Sequence, residues 1–244
     1  MYSVNAYWLE QTEADVPEEN DWLSVNEAAC LNGMRFAKRR ADWRLGRWTA
    51  KLAVCLCLDE PAIPPVFKKM EIRAAPSGEP EVFFDSEPAD VTISLSHRAG
   101  IALCSVAMSH VELGCDLETV ESRSDAFVAD YFTVEEQALV ARASAEVRAR
   151  LLALLWSAKE SALKALHAGL RLDTRCVIVS PFEESFDRNG WSPLRVRYIH
   201  GVVFHGWWQI AENIVRTVVG SPAPDSPIPL AIPTHFVDRA ARSA

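Results

Sequence analysis

The sequence predicts an α+β protein made of two similar halves, and three observations carry that prediction. Capping boxes stand at Ser24-Val-Asn-Glu27 and Thr133-Val-Glu-Glu136, where a hydroxyl and a carboxylate three residues apart satisfy each other's free N–H groups and start a helix. A long helical pattern follows each box, over about 36–58 and about 145–167. Strand-like runs follow each long helix, so the order of helices and then antiparallel strands occurs twice, although no residue-level repeat is visible.

Taken in order, residues 2–9 alternate as a strand. The helix over 36–58 stops before Asp59-Glu-Pro-Ala-Ile-Pro-Pro65, whose prolines cannot continue it. Strands are expected at 70–74 and 81–84 around the turn Pro76-Ser-Gly78-Glu79-Pro80, then at 91–96, 101–107 and 112–118. The capping box at Thr133 opens a short helix, and the long helix after it should end with Gly169 in the C′ position. Further strands are expected at 176–180, 194–199, 202–210 and 213–219, before an irregular or loosely attached tail rich in proline and small polar residues. The expected division is 1–113, 114–220 and a tail, 221–244.

No apolar run approaches the roughly 18 residues of a membrane span, and the start lacks the basic and apolar regions of a signal peptide, so a soluble, cytoplasmic monomer is expected. A net charge of −8 argues against nucleic acid as a partner. The six cysteines form no CxxC pair and are expected to be buried free thiols. Charge is nonetheless uneven. Arg35, Lys38, Arg39, Arg40, Arg44, Arg47 and Lys51 stand against Asp42 alone, either as a solvated helix face or as an anion site.

Two segments could carry chemistry. In Gly114-Cys-Asp116-Leu-Glu118, strand residues i and i+2 lie about 6.5–7 Å apart on one face, so Asp116 and Glu118 either converge on one ion or form a solvent-facing acidic edge. Cys115 and Leu117 would then turn to the core, and Gly114 would let backbone or ligand approach closely. In Trp156-Ser-Ala-Lys159-Glu160-Ser-Ala-Leu-Lys164, Glu160 and Lys164 are an i,i+4 pair on a helix whose many leucines make it largely buried. Charged groups are seldom buried unless paired or ligand-bound, which favours a site over a surface ion pair. Ser94-Leu-Ser96-His97 puts two serines on one strand face, with a histidine at the end suited to donating to a phosphate oxygen. No P-loop, G-x-G-x-x-G or G-x-S-x-G occurs, so phosphate binding would use side chains.

These segments together resemble the paired signature of the 4′-phosphopantetheinyl transferases, in their broad-specificity, surfactin-synthetase-activating class. Ser94-Leu-Ser96-His97 is similar to that family's S-x-S-H element, and Phe132-Thr133-x-x-Glu136 to its F-T-x-x-E element. Arg39-Arg40-Ala-Asp-Trp-Arg-Leu-Gly46-Arg47-Trp-Thr-Ala-Lys51 is similar to its basic helix. The resemblance spans about residues 24–180. It implies two α/β halves related by pseudo-twofold symmetry, with coenzyme A between them as substrate, and transfer of its phosphopantetheine arm to a serine of an apo-acyl or peptidyl carrier protein, releasing 3′,5′-ADP. It also implies magnesium on Asp116, Glu118 and Glu160, and Lys164 and His97 at the pyrophosphate. Ser96, Lys159, Arg39, Arg40 and Arg47, with help from Lys38, would complete the coenzyme A contacts, Arg47 at the 3′-phosphate. The family's G-K-P turn at the adenine reads here as Gly78-Glu79-Pro80, which removes its cation. Glu160 or a water it orients would be the base, with His97 and Lys164 aiding catalysis, and the carrier would dock near Arg123 and Phe127. The rivals are a non-catalytic module binding coenzyme A and carrier, and a magnesium-dependent phosphohydrolase.

Overall fold

The two capping boxes form as their spacing requires, and each is wired into a buried ion pair. The computed structural model describes residues 4–108, 110–180 and 190–232. Ser24 Oγ accepts from the Glu27 N–H at 3.1 Å and the Glu27 carboxylate accepts from the Ser24 N–H at 3.0 Å, which starts α1 (Val25–Gly33). The second Glu27 oxygen accepts from Ile72 N–H at 3.1 Å. The fully buried Lys51 of α2 (Ala37–Cys57) pairs with Glu27 and donates to the carbonyls of Trp22 at 3.2 Å and Phe67 at 2.8 Å.

The second half repeats the device with different residues. Thr133 and Glu136 cap α5 (Val134–Arg142), and Glu136 also accepts from Val179 N–H at 2.9 Å. Lys159 of α6 (Ala145–Ala165), again fully buried, lies 2.9 Å from Glu136 and donates to the carbonyls of Thr174 at 3.0 Å and of Val177. Burial lowers the pKa of both ammonium groups, and the paired carboxylates oppose that.

Around these anchors the fold is α+β, as expected. The strands are β1 (Ala6–Thr12), β2 (Met70–Ala74), β3 (Pro80–Phe84), β4 (Glu87–Pro88), β5 (Val91–Arg98), β6 (Ile101–Met108) and β7 (Glu112–Thr119). They continue as β8 (Val177–Val179), β9 (Ser192–Tyr198), β10 (Val203–Ala211), β11 (Ile214–Ser221) and β12 (Ile228–Pro229). One sheet runs β12-β1-β6-β5, a second β7-β11-β10-β9-β8, and a small third β2-β3-β4. Helix α2 covers the first sheet and α6 the second. Among the described residues no helix is long and apolar enough to cross a membrane.

The sheets meet where β5 packs on β7. Ser94 Oγ accepts from Cys115 N–H at 2.9 Å and Ser96 Oγ from Leu117 N–H at 3.2 Å, so the two serines of one strand face knit the halves together. An apolar layer that includes Leu103, Ala107, Leu113, Cys115, Leu117 and Val218 fills the space between the sheets. Arg216 on β11 grips Glu10 on β1 with two hydrogen bonds of 2.6 and 2.7 Å, a bidentate pair that fixes the sheets' relative rotation.

Several expectations are corrected. Two short helices lie where none is foreseen: α3 (Pro64–Lys69), with its prolines at the first turn, and α4 (Asp125–Tyr131), capped by Ser124. The left-handed residue closing α6 is His167 (φ 52°), while Gly169 falls in a following single turn of 3-10 helix. Part of the tail is ordered, since Ile228 and Pro229 run parallel to Tyr7 and Trp8, and Leu230 N–H donates to Trp8. The expected strand residues 2–3 and the end of the tail, 233–244, lie outside the described residues. All six cysteines are free, but Cys30 is exposed and Cys57 and Cys176 only half-buried.

Lys159 is a structural cation, so its substitution should act on stability. Lys159→Met should destabilise the protein by about 3–5 kcal/mol, because it strands the Glu136 carboxylate in the core. Lys159→Met combined with Glu136→Leu should recover part of that loss. Chemical denaturation of both variants checks this, and a double variant less stable than the single one would contradict it.

Candidate functional site

The geometry of the site begins with a glycine. A Cβ on Gly114 would lie 1.8 Å from the Ser161 carbonyl oxygen, so α6 approaches β7 more closely than any other residue there would allow. That approach brings Lys164 down onto the strand. Its ammonium donates to Cys115 O at 2.9 Å and to Asp116 Oδ1 at 2.8 Å, while Ser96 Oγ donates to the same Oδ1 at 2.8 Å. Ser96 therefore both joins the halves and orients Asp116.

Asp116, Glu118, Glu160, Lys164, Ser96 and His97 line one cleft of roughly 410 Å³. The strand alternation is as expected, with Cys115 and Leu117 turned into the interior layer and both acids on the cleft face. Asp116 and Glu118 are 5% and 8% exposed, which rules out a solvated acidic edge. Burial, then Asp116, then Glu118 push the Glu160 carboxyl up to about 7, with Lys164 opposing. Glu118 is raised by burial and by Asp116, against Arg98 and Arg123. Burial draws the Lys164 ammonium down, but Asp116 and its neighbours outweigh it and leave the group raised.

The donor set suits a hard divalent cation. Asp116 Oδ2 is buried and has no hydrogen-bond partner, and three carboxylates share one cleft. Yet among the described residues no three Asp, Glu, His or Cys groups stand close enough to hold a metal ion as arranged. The reason is visible in the pairing. Lys164 occupies Asp116, and Glu118 turns to Arg123 at 3.2 Å and Arg98 at 3.8 Å.

Other expected residues fall elsewhere. Lys159, expected among coenzyme A contacts, is in the core of the second half and cannot reach the cleft. Arg40 is tied to the carbonyls of Leu31 and Met34, and Arg39 is exposed. Arg47 lies 3.8 Å from Glu27 and over the Trp43 ring, with its Nε buried and lacking a hydrogen-bond partner. None of these three lines the cleft. The turn carrying Gly78, Glu79 and Pro80 crosses to the end of α6, where Arg171 donates to Ser77 O at 2.8 Å and His167 lies 3.4 Å from Glu79. Phe127 is half-buried against Tyr131, Phe132 and Trp156, with Arg123 over its ring. Arg98 was not singled out by sequence, although it directly follows His97 and lines the cleft.

Comparison with known proteins places the second half in context. The model of the 4′-phosphopantetheinyl transferase superfamily matches residues 112–214, which hold β7, α6 and all three acids. No curated protein matches the chain. Among solved structures, a holo-(acyl-carrier-protein) synthase from Bacillus anthracis in complex with coenzyme A (3′,5′-ADP) aligns at 20% identity and a TM-score of 0.37, covering 44% of this chain and 97% of its own.

The crowding of carboxylates should show in the pH dependence of stability. A carboxyl raised to about 7 costs the fold nothing below its unfolded value and its full amount above 7. Glu160→Gln should therefore match wild type near pH 4.5 in chelator, and exceed it above pH 7 by on the order of 2 kcal/mol. Thermal melts across that range check the sign; a gap that narrows as pH rises would contradict it.

Proposed function

We propose that this protein transfers the 4′-phosphopantetheine arm of coenzyme A to a serine of an apo-acyl or peptidyl carrier protein, releasing 3′,5′-ADP. The convergence of Asp116 and Glu118 from β7 with Glu160 and Lys164 from α6 carries the reading. The superfamily match over 112–214 supports it independently.

On this reading each side chain of the cleft has a task. Lys164 and His97 hold the pyrophosphate oxygens, where positive charge and a ring donor offset charge on the departing phosphate. Glu160, as the carboxylate, accepts the serine proton directly or through a water it orients. The serine oxygen bonds to the phosphorus bearing pantetheine as the phosphorus–oxygen bond to 3′,5′-ADP breaks. Asp116, Glu118 and Glu160 would hold a magnesium ion, which supplies charge neutralisation at the pyrophosphate when bound. The buried Arg47 Nε without a hydrogen-bond partner fits an anion at the 3′-phosphate, and the Glu79 turn borders the nucleotide end. The carrier docks on the segment with Arg123 and Phe127, where Tyr131, 38% exposed, is the more open ring.

Incubation with coenzyme A, magnesium and an apo-carrier domain tests the reading by carrier mass. A gain of one phosphopantetheine arm is expected. Release of 3′,5′-ADP without carrier would instead mark a phosphohydrolase, and no turnover a binding module. Asp116→Ala should keep the fold and lower turnover by about a hundredfold or more, the loss typical of one preorganised electrostatic group.

A second measurement separates binding from chemistry. Arg47→Ala should raise KM for coenzyme A more than it lowers kcat, and dephospho-coenzyme A should suffer little further loss in the variant. Equal losses with both substrates would assign Arg47 to packing around Glu27 and Trp43 instead.

A further inference from the structure

We propose that Arg98 and Arg123 form a releasable clamp on Glu118, so that a divalent ion enters the cleft together with a diphosphate and binds only weakly alone. The inference rests on the functional reading above in taking Glu118 as an ion ligand. Glu118 is nearly buried, and its Oε2 accepts from Arg123 at 3.2 Å. The same Arg123 nitrogen lies 3.0 Å from Glu121, and the guanidinium stacks on the Phe127 ring at 5.1 Å. Arg98 approaches the same Glu118 oxygen at 3.8 Å while donating to Glu121 at 2.9 Å. Two guanidiniums and two carboxylates thus form a closed, neutral network around Glu118, and among the described residues no three acids are gathered for an ion.

The network is built to exchange. Arg98 and Arg123 keep 38% and 25% of their side chains exposed, so both can leave without uncovering the core. An ion arriving alone must take Glu118 from two arginines that are left with Glu121 as their remaining carboxylate. An ion arriving with a diphosphate brings oxygens that can accept from both guanidiniums, since arginine forks match phosphate geometry. Release of Glu118 is then coupled to occupancy of the cleft. Arg98 and Arg123 are positioning residues in this scheme, acting through Glu118.

Mn²⁺ binding to the full chain, followed by electron paramagnetic resonance without nucleotide, tests the clamp. Arg123→Gln should tighten Mn²⁺ binding by roughly threefold to tenfold, the span of one partly exposed ion pair. A merely structural role would leave it unchanged or weaken it. Combined with Glu118→Gln, the Arg123→Gln gain should vanish, because no carboxylate remains to be freed. For wild type, adding coenzyme A should tighten Mn²⁺ binding more than it does for Arg123→Gln. No tightening in Arg123→Gln, or a gain of the same size with Glu118→Gln present, would overturn the clamp in favour of no role or of a simple through-space field. Failure of phosphopantetheine transfer would count against the functional reading alone, because the nucleotide-free titration needs neither coenzyme A nor carrier.

Discussion

A buried glutamate–lysine pair, made once in each half, is the interaction on which the rest of the structure depends. Glu27 and Glu136 each cap a helix, receive a strand N–H and neutralise a lysine from the long helix. Each lysine then donates to two backbone carbonyls and faces an aromatic ring, Trp22 at 5.8 Å or Phe132 at 5.7 Å. One charge pair therefore fixes a helix start, a long helix, a strand and a connecting loop relative to one another. An unpaired charge at such a depth would be costly, so the four elements hold together or come apart together. The cleft inherits its rigidity from this arrangement, because Lys159 immediately precedes Glu160 on α6.

Much of this was legible in the sequence, and the parts that were not share a physical cause. Both capping boxes, both long helices and most strands follow from spacing that a short window contains. The alternation of Asp116 and Glu118 against Cys115 and Leu117 is equally local, whereas their common cleft with Glu160 and Lys164 followed only from the family resemblance, because no local pattern reports that this strand and this helix meet. Lys159 was misplaced because a lysine beside a site residue looks like a site residue. Only the fold shows that one helical step turns it towards Glu136. Helix α4 was missed because seven residues give too little periodicity, though Ser124 before Asp125 is a usable start signal. The small contribution of β12 depends on Tyr7 and Trp8, more than two hundred residues away, which no local pattern reports.

The repeated framework also shows why the three acids stand on the second half's strand and helix and not on their counterparts in the first. Thr12 on β1 pairs with Ile101, the first residue of β6, as Thr119 on β7 pairs with Ile214, the first residue of β11. Counting back from those pairs, Asp116 and Glu118 match Leu9 and Gln11. Counting from Lys51 and Lys159, Glu160 and Lys164 match Leu52 and Leu56. In the first half these positions are apolar or amide, and Leu9 and Leu52 belong to its core. Gly114 matches Tyr7, so the close approach of α6 to its strand has no counterpart at α2. Removing one side chain to let the helix descend, and replacing three leucines and a glutamine by three acids and a lysine, converts a packing face into a ligand face. The lysine is what makes the conversion tolerable. Without the Lys164 hydrogen bond to Asp116, and without Arg98 and Arg123 on Glu118, three largely buried carboxylates would repel one another with little solvent to screen them. The first half serves the site by another route: its Ser96 crosses the seam to Asp116, so the same carboxylate oxygen is held from both halves, by Ser96 from one and Lys164 from the other.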